Sequence, residues 1–255
     1  MAPATVTIHP LDLGTLVNMD KSVFTARHNQ GVLMDVPCLG YLVLGDSKTI
    51  VVDTGPCDVE WAARYHRALT KTPEQEVPGA LAKFGVKPED VDIVILTHLH
   101  WDHCFNLEHF PNATFLVQRE ELAYAAAPLP LDSIPYEAYV PGIRPPWMEV
   151  FGRISPVDGD ADVTGNVSVI ALPGHTPGFQ GVVVETSEGP WVIVGDTVPL
   201  YENWRREGNA PKIPGGIYQN LFDYQDTLER LRQFGDRILP GHDPEVLKHS
   251  RYPVS

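Results

Sequence analysis

The sequence predicts an α/β protein in which two β-sheets lie face to face with helices outside. Three observations predict it: β-branched apolar runs cluster in both halves of the chain, helix-like segments close each half, and several runs end in a turn that carries a histidine or an aspartate. A chain of 255 residues can bury one substantial core, and no break in composition divides it, so residues 1–255 are expected to form a single domain.

Taken in order, 6–8 and 40–44 read as strands, and 49–52 continues into Asp53-Thr54-Gly55. Gly45-Asp46-Ser47 is a turn signal that makes the last two a hairpin. Residues 18–37 mix Met19, Phe24, His28 and Met34 without a period and read as a long loop, a length that marks either a functional or a disordered segment. Residues 60–69 place Trp61, Ala62, Tyr65, Ala68 and Leu69 near helical spacing, and 78–84 is a short helix opened by Pro78 and closed by Gly85. Strand 91–96 follows, then strand 114–118 and a helix rich in Glu and Ala over 119–127. Segment 128–146 holds too much proline for a regular helix, and with Tyr136, Tyr139, Trp147 and Met148 it reads as a second loop near the pocket or, equally, as a surface excursion. From Asp158 onward strands and turns alternate, with strands at 167–172 and 191–194, before an irregular stretch over 199–214. Residues 223–234 carry Leu228, Leu231 and Phe234 on one helical face with Gly235 as the stop, and 237–239 is a last short strand.

The chemistry concentrates after strand 91–96, where Thr97-His98-Leu99-His100-Trp101-Asp102-His103 packs three imidazoles and a carboxylate into one loop. Imidazole and carboxylate suit zinc, manganese or ferrous iron; one such cluster binds one ion well and needs further donors for a second. Donors of that kind follow strands elsewhere: His175 in Pro173-Gly174-His175-Thr176-Pro177-Gly178, Asp196 in Gly195-Asp196, and His242 in Pro240-Gly241-His242-Asp243. A lone histidine is more often a surface or satisfied core residue, and His9, His28, His66, His109 and His249 are read so. Cys38, Cys57 and Cys104 lack Cys-x-x-Cys spacing and read as reduced, buried thiols, with Cys104 next to His103 and so nearest the candidate ligands in sequence.

His-x-His-x-Asp-His followed by a later His, Asp and His in this order resembles the metallo-β-lactamase superfamily of hydrolases over about residues 40–242. The resemblance implies the αββα sandwich, with two mixed sheets face to face and the ligand loops at one edge. It also implies two divalent cations, zinc first, with manganese, iron or cobalt as alternatives. His98, His100 and His175 resemble the ligands of one, Asp102, His103 and His242 those of the other, and Asp196 the carboxylate that bridges both. Asp53 resembles a residue that orients a ligand imidazole without binding metal. Two such ions about 3.5–4 Å apart share a water, bring its pKa toward neutrality and present hydroxide to a polarised carbonyl. Asp102 is then a candidate to orient that hydroxide or carry its proton. No Gly-x-Ser-x-Gly and no dinucleotide-binding Gly-x-Gly-x-x-Gly after a strand offers another chemistry.

Within the superfamily the chain is most similar to the N-acyl-homoserine lactonase group, through His-Leu-His-Trp-Asp-His, Val117-Gln118-Arg119-Glu120-Glu121-Leu122, the Pro-Gly-His-Thr-Pro-Gly run and Gly241-His242-Asp243. That similarity implies lactone opening, and so quorum quenching, with a small-molecule lactone or ester as substrate, a homodimer as the assembly, and Phe24 and Met34 as an apolar substrate wall. One position departs. The lactonase group carries a tyrosine three residues after the bridging aspartate, where this chain has Pro199. Tyr201, two residues further on, is the candidate to supply that hydroxyl, and Arg205, Arg206 and Lys212 are candidates to pair with a substrate carboxylate.

Thirty-three acidic against 19 basic residues leave a formal charge of −14, which repels phosphate backbones; no nucleic-acid partner is expected, and the superfamily's nuclease branch is disfavoured. The start has no basic n-region and no apolar stretch of secretory length, and nothing later approaches a membrane span, so a cytoplasmic protein without a membrane partner is expected. An exported β-lactamase is disfavoured on the same ground, and that branch also generally lacks a bridging aspartate. A thioesterase of the glyoxalase II type is the nearest alternative with the same chemistry, although glutathione recognition would favour a basic patch toward the C-terminus. The alternative from another class is a di-iron redox protein, whose relatives replace one histidine of the first cluster by a carboxylate and add a flavin domain.

Overall fold

The computed structural model describes residues 5–138, 142–208 and 210–254, so that Tyr139 lies outside the described residues. In chain order, β1 (Thr7–Asp20), β2 (Leu33–Leu44), β3 (Ile50–Val52), β4 (Leu69–Thr70), β5 (Ile93–Ile95), β6 (Thr114–Gln118) and β7 (Ile154–Val157) form a seven-stranded sheet ordered β4-β1-β2-β3-β5-β6-β7. β8 (Ala161–Asp162), β9 (Val167–Ala171), β10 (Gln180–Thr186), β11 (Gly189–Gly195) and β12 (Ile238–Pro240) form a five-stranded sheet ordered β12-β11-β10-β9-β8. Both are mixed: β3, β5, β6 and β7 run parallel, as do β11 and β12, while the remaining pairs are antiparallel.

The period of two along a strand decides which residues face which layer. Leu39, Tyr41 and Val43 of β2 enter one core with Ile50, Val52 and Ile95, against Val169, Val182 and Ile193 of the second sheet. Leu42, Val51 and Val94 join a second core, where α2 (Val77–Ala82) lays down Val77, Ala80 and Leu81 and α3 (Arg119–Ala126) lays down Ala125. Strands of the first sheet are therefore apolar on both faces, which is why 49–52 and 91–96 read as continuous rather than alternating runs. α5 (Leu221–Leu231) buries the predicted face, Leu228, Leu231 and the following Phe234, against the second sheet. Asn220 caps it by accepting from the backbone of Phe222 and Asp223. Each large apolar side chain buried this way contributes roughly 1.5–3 kcal/mol. The layers are those of the expected sandwich.

Three expectations change in detail. The long loop over 18–37 shrinks to 21–32, because β1 and β2 pair from Thr7↔Leu44 to Asp20↔Leu33 across two register shifts. Pro10, Gly14 and those bulges interrupt the alternation, which hid the strand in the sequence. α1 (Val59–Tyr65) is shorter than the predicted 60–69, and Leu69–Thr70 instead pairs with Thr15 and Leu16 as β4. Within 199–214, α4 (Tyr201–Trp204) forms one helical turn. Among the described residues no helix is long and apolar enough to cross a membrane.

Candidate metal centre

The candidate ligands arrive on loops at the carboxyl ends of strands, His98 to His103 after β5, His175 after β9, Asp196 after β11 and His242 after β12, and the orienting Asp53 arrives in the same way after β3. The 98–104 loop is closed by the amides of His103 and Cys104 donating to the His100 carbonyl. All seven candidates meet at one end of the sheets. Atoms of His98, His100 and His175 lie within 4.8 Å of one another, as do atoms of His98, His103 and Asp196. His175 Nε2 is 3.3 Å from His100 Nδ1 and 3.5 Å from Asp196 Oδ2. Asp196 Oδ1 is 3.3 Å from His103 Nε2 and 3.1 Å from His242 Nε2, and Asp102 Oδ2 is 3.9 and 3.7 Å from the same two nitrogens. Donors about 2.0–2.2 Å from a tetrahedral ion stand roughly 3.3–3.6 Å apart, so both groups have the spacing a cation needs.

The hydrogen bonds at the back of each ring decide which nitrogen faces the centre. Carbonyl oxygens only accept, so His175 Nδ1–H donates to Ile217 O (2.9 Å), His242 Nδ1–H donates to Pro37 O (2.8 Å), and each Nε2 is left with a lone pair. Asp53 serves two rings. Its Oδ2 accepts from His103 Nδ1–H at 2.9 Å and from the Thr97 hydroxyl at 2.8 Å, and Thr97 Oγ1 in turn accepts from His98 Nδ1–H at 3.0 Å. His98 Nε2, His103 Nε2 and Asp196 Oδ1 are buried without a hydrogen-bond partner among the described residues. Polar atoms orphaned in that way are costly, and a cation resolves the cost. The residues present therefore fit divalent cations. Replacing Asp53 with alanine is expected to weaken cation binding ~10–100-fold, as read by competition with a chelator.

Electrostatics separates the two groups. Burial holds His98, His100 and His175 below the usual imidazole range, and for His98 neighbouring imidazoles add to it. Burial also pulls down on His103 and His242, but Asp196 and Asp102 overcome it and hold both above that range. Asp196 is disfavoured as an anion by burial, yet His242 and His103 keep it well below the carboxylate range. A histidine with a raised pKa keeps its proton to higher pH, and a metal must displace that proton. On acidification the Asp102, His103 and His242 group is expected to lose affinity for a cation before the His98, His100 and His175 group does, measurable as metal content after dialysis along a descending pH series.

The centre opens into a cavity of about 420 Å³. Phe24 lines it as expected and Met34 does not, whereas Leu16, Met19, Trp101 and Ile134 supply further apolar wall. Pro199 also lines it. Tyr201 is not brought to the centre: its hydroxyl donates to Ile238 O at 3.3 Å, its ring lies under the Arg205 guanidinium, and it is absent from the cavity wall. α4 starts at Tyr201, and that helical turn directs the ring toward β12, so the expected hydroxyl is not delivered from this position. Arg205 pairs with Glu245, while Arg206 and Lys212 border a separate cavity, so none of the three faces the centre. His66 is not grouped with the ligands; it stacks on Trp101 at 4.2 Å and hydrogen-bonds Glu137 at 2.7 Å.

Two residues beside the ligands were given no role at the site by the sequence. Glu121, fully buried, accepts from Leu99 N (3.0 Å) and the Tyr136 hydroxyl (2.8 Å) with one oxygen, and from the Thr176 hydroxyl (2.7 Å) and Gly178 N (3.2 Å) with the other. It ties the loop of His98 and His100 to the loop of His175. Its position four residues before buried Ala125, on the inward face of α3, was the available signal. Cys38 is the other: its Sγ lies within 4.8 Å of donor atoms of Asp102 and His242.

Residues 33–242 match the family model described as the metallo-beta-lactamase superfamily. The N-acyl homoserine lactonase AttM of Azorhizobium caulinodans is 28% identical over 230 residues, covering 81% of this chain and 79% of that relative. An N-acyl homoserine lactonase of a Bacillus species is 29% identical over 241 residues, covering 89% of each. A crystal structure of a Bacillus thuringiensis AiiA variant with N-decanoyl-L-homoserine bound at the active site superposes with a TM-score of 0.75 at 24% identity, covering 96% of each chain.

Proposed function

Because this chain belongs to the metallo-β-lactamase superfamily, we propose that its histidine and aspartate groups hold two divalent cations, zinc first, and that the protein is a hydrolase opening the lactone ring of N-acyl homoserine lactones. The observation that carries this reading is Asp196, whose oxygens turn to different ligand groups: Oδ2 toward His175 at 3.5 Å, Oδ1 toward His103 and His242 at 3.3 and 3.1 Å. When bound, two such cations supply Lewis acidity for a carbonyl oxygen and lower the pKa of water toward neutrality.

The chain's own residues bind, orient and shield. Asp102 lines the cavity with its carboxylate 14% exposed, which supports assigning it to orient the attacking water and take its proton. Met19, Phe24, Trp101 and Ile134 form the apolar wall that holds an acyl chain and excludes bulk water. A volume of about 420 Å³ falls in the usual range for a small-molecule site, ~300–1,000 Å³. A neutral lactone suits a cavity that carries Asp102 and Asp196 and, among its lining residues, a single arginine, Arg67. The anionic glutathione of a glyoxalase II substrate finds no basic patch there. The lactonases among the relatives support the same substrate class.

The test is proton release by purified protein of measured metal content, across acyl-homoserine lactones, simple γ- and δ-lactones, S-lactoylglutathione and nitrocefin. Turnover of acyl-homoserine lactones that chelation abolishes and zinc restores is the expected result. A protein with two bound metals that ignores them and cleaves another member of the panel overturns the substrate; one that binds no metal overturns the whole reading.

A further inference from the structure

The second ligand group has one more donor within reach than the motifs supply. β2 passes directly behind it, since the carbonyl of Pro37 accepts from His242 Nδ1–H at 2.8 Å. The next side chain along that strand is Cys38, fully buried and in no disulfide. Its sulfur lies within 4.8 Å of donor atoms of both Asp102 and His242. Two further buried atoms beside His242 have no hydrogen-bond partner among the described residues: Asp196 Oδ1, 3.1 Å from His242 Nε2, and His103 Nε2, 3.3 Å from that oxygen. They belong to residues 8% and 0% exposed. Cys104, the neighbour of His103 in sequence, behaves differently: its thiol is turned to the Leu99 carbonyl at 3.4 Å.

We infer that Cys38 is a sulfur ligand to the cation held by Asp102, His103 and His242. The inference rests on the two-cation reading above and adds a donor type that the His and Asp motifs do not contain. On ligation the Cys38 thiol releases its proton to solvent and the sulfur lone pair forms the bond to the cation, so no oxidant or reductant takes part. A thiolate is a soft donor, whereas imidazole and carboxylate accept a wider range of first-row ions. Cys38 thus biases this position toward zinc or cobalt and away from manganese, while the position of His98, His100 and His175 keeps the broader tolerance of imidazole.

The experiment is cobalt(II) substitution of the full-length protein, followed by absorption spectroscopy through the first and second equivalents. Wild type is expected to develop a thiolate-to-cobalt charge-transfer band in the near ultraviolet as the second group fills. The band is expected to be lost in Cys38→Ser and Cys38→Ala and kept in Cys104→Ala. Visible d–d bands from the first group and the far-ultraviolet circular dichroism report that each variant is folded and loaded. Two bound cobalt ions without the charge-transfer band in wild type, or a band that survives Cys38→Ala, overturns the ligand assignment alone. Binding of fewer than two equivalents by wild type instead overturns the two-cation reading on which it rests.

Discussion

On the proposed two-cation lactonase reading, replacing Asp196 with alanine is expected to leave at most one cation per chain and to lower the proposed lactone turnover by more than the ~10–100-fold that loss of an outer hydrogen-bond partner costs. No other candidate ligand touches both groups through separate oxygens, at 3.5 Å on one side and 3.1–3.3 Å on the other. Removing it takes a donor from each position at once. It also removes the anion that offsets the cations and that holds His103 and His242 above their ordinary range. Asn at the same position keeps the shape and one acceptor but loses the charge, and should fall between alanine and wild type. Metal analysis after gel filtration and turnover under saturating zinc read both effects; two tightly held ions in the alanine variant would contradict the bridging role.

The second large effect is structural. Glu121→Ala is expected to destabilise the protein by about 3–5 kcal/mol, because two backbone amides and two hydroxyls lose a buried acceptor and an unsatisfied buried polar group costs roughly 1–3 kcal/mol. In a chain of this size that corresponds to a fall in Tm of roughly 10 °C, measurable by calorimetry. Glutamine keeps one acceptor oxygen and should lose less. Because Glu121 joins the loop of His98 to the loop of His175, cation affinity should fall together with Tm. The close approach that makes this tie possible is visible at Gly178, where an added Cβ would lie 2.0 Å from the backbone nitrogen of Glu121. An alanine variant that melts within about 2 °C of wild type would remove Glu121 from this role.

Much of the molecule was legible in the sequence because it is written locally. Residues 114–118 are a strand as expected, and the expected helix over 119–127 ends at Ala126. The helix face of Leu228, Leu231 and Phe234 follows from spacing alone. The candidate ligand loops were found because each is a short run of donors directly after an apolar strand, and strands packed in parallel deliver their carboxyl ends to one side. The β1–β2 hairpin was less legible, since two bulges and two prolines erase the period that marks a strand.

What the sequence by itself determined is the layer architecture and the histidine and aspartate donors, because turn chemistry and hydrophobic period act over a few residues. What only the tertiary structure decided is how those donors are aimed. His242 is fixed by the carbonyl of Pro37, 205 residues away, and His103 by Asp53, 50 residues away. Glu121 reaches Thr176 across 55 residues. The same holds for the position where sequence proximity misled: Tyr201 sits near Asp196 in the chain but turns to Ile238; Cys104, as expected, is a buried thiol, and it is Cys38 that stands beside the second ligand group. A side chain's partner is set by which strands the fold lays side by side, and no local pattern carries that information.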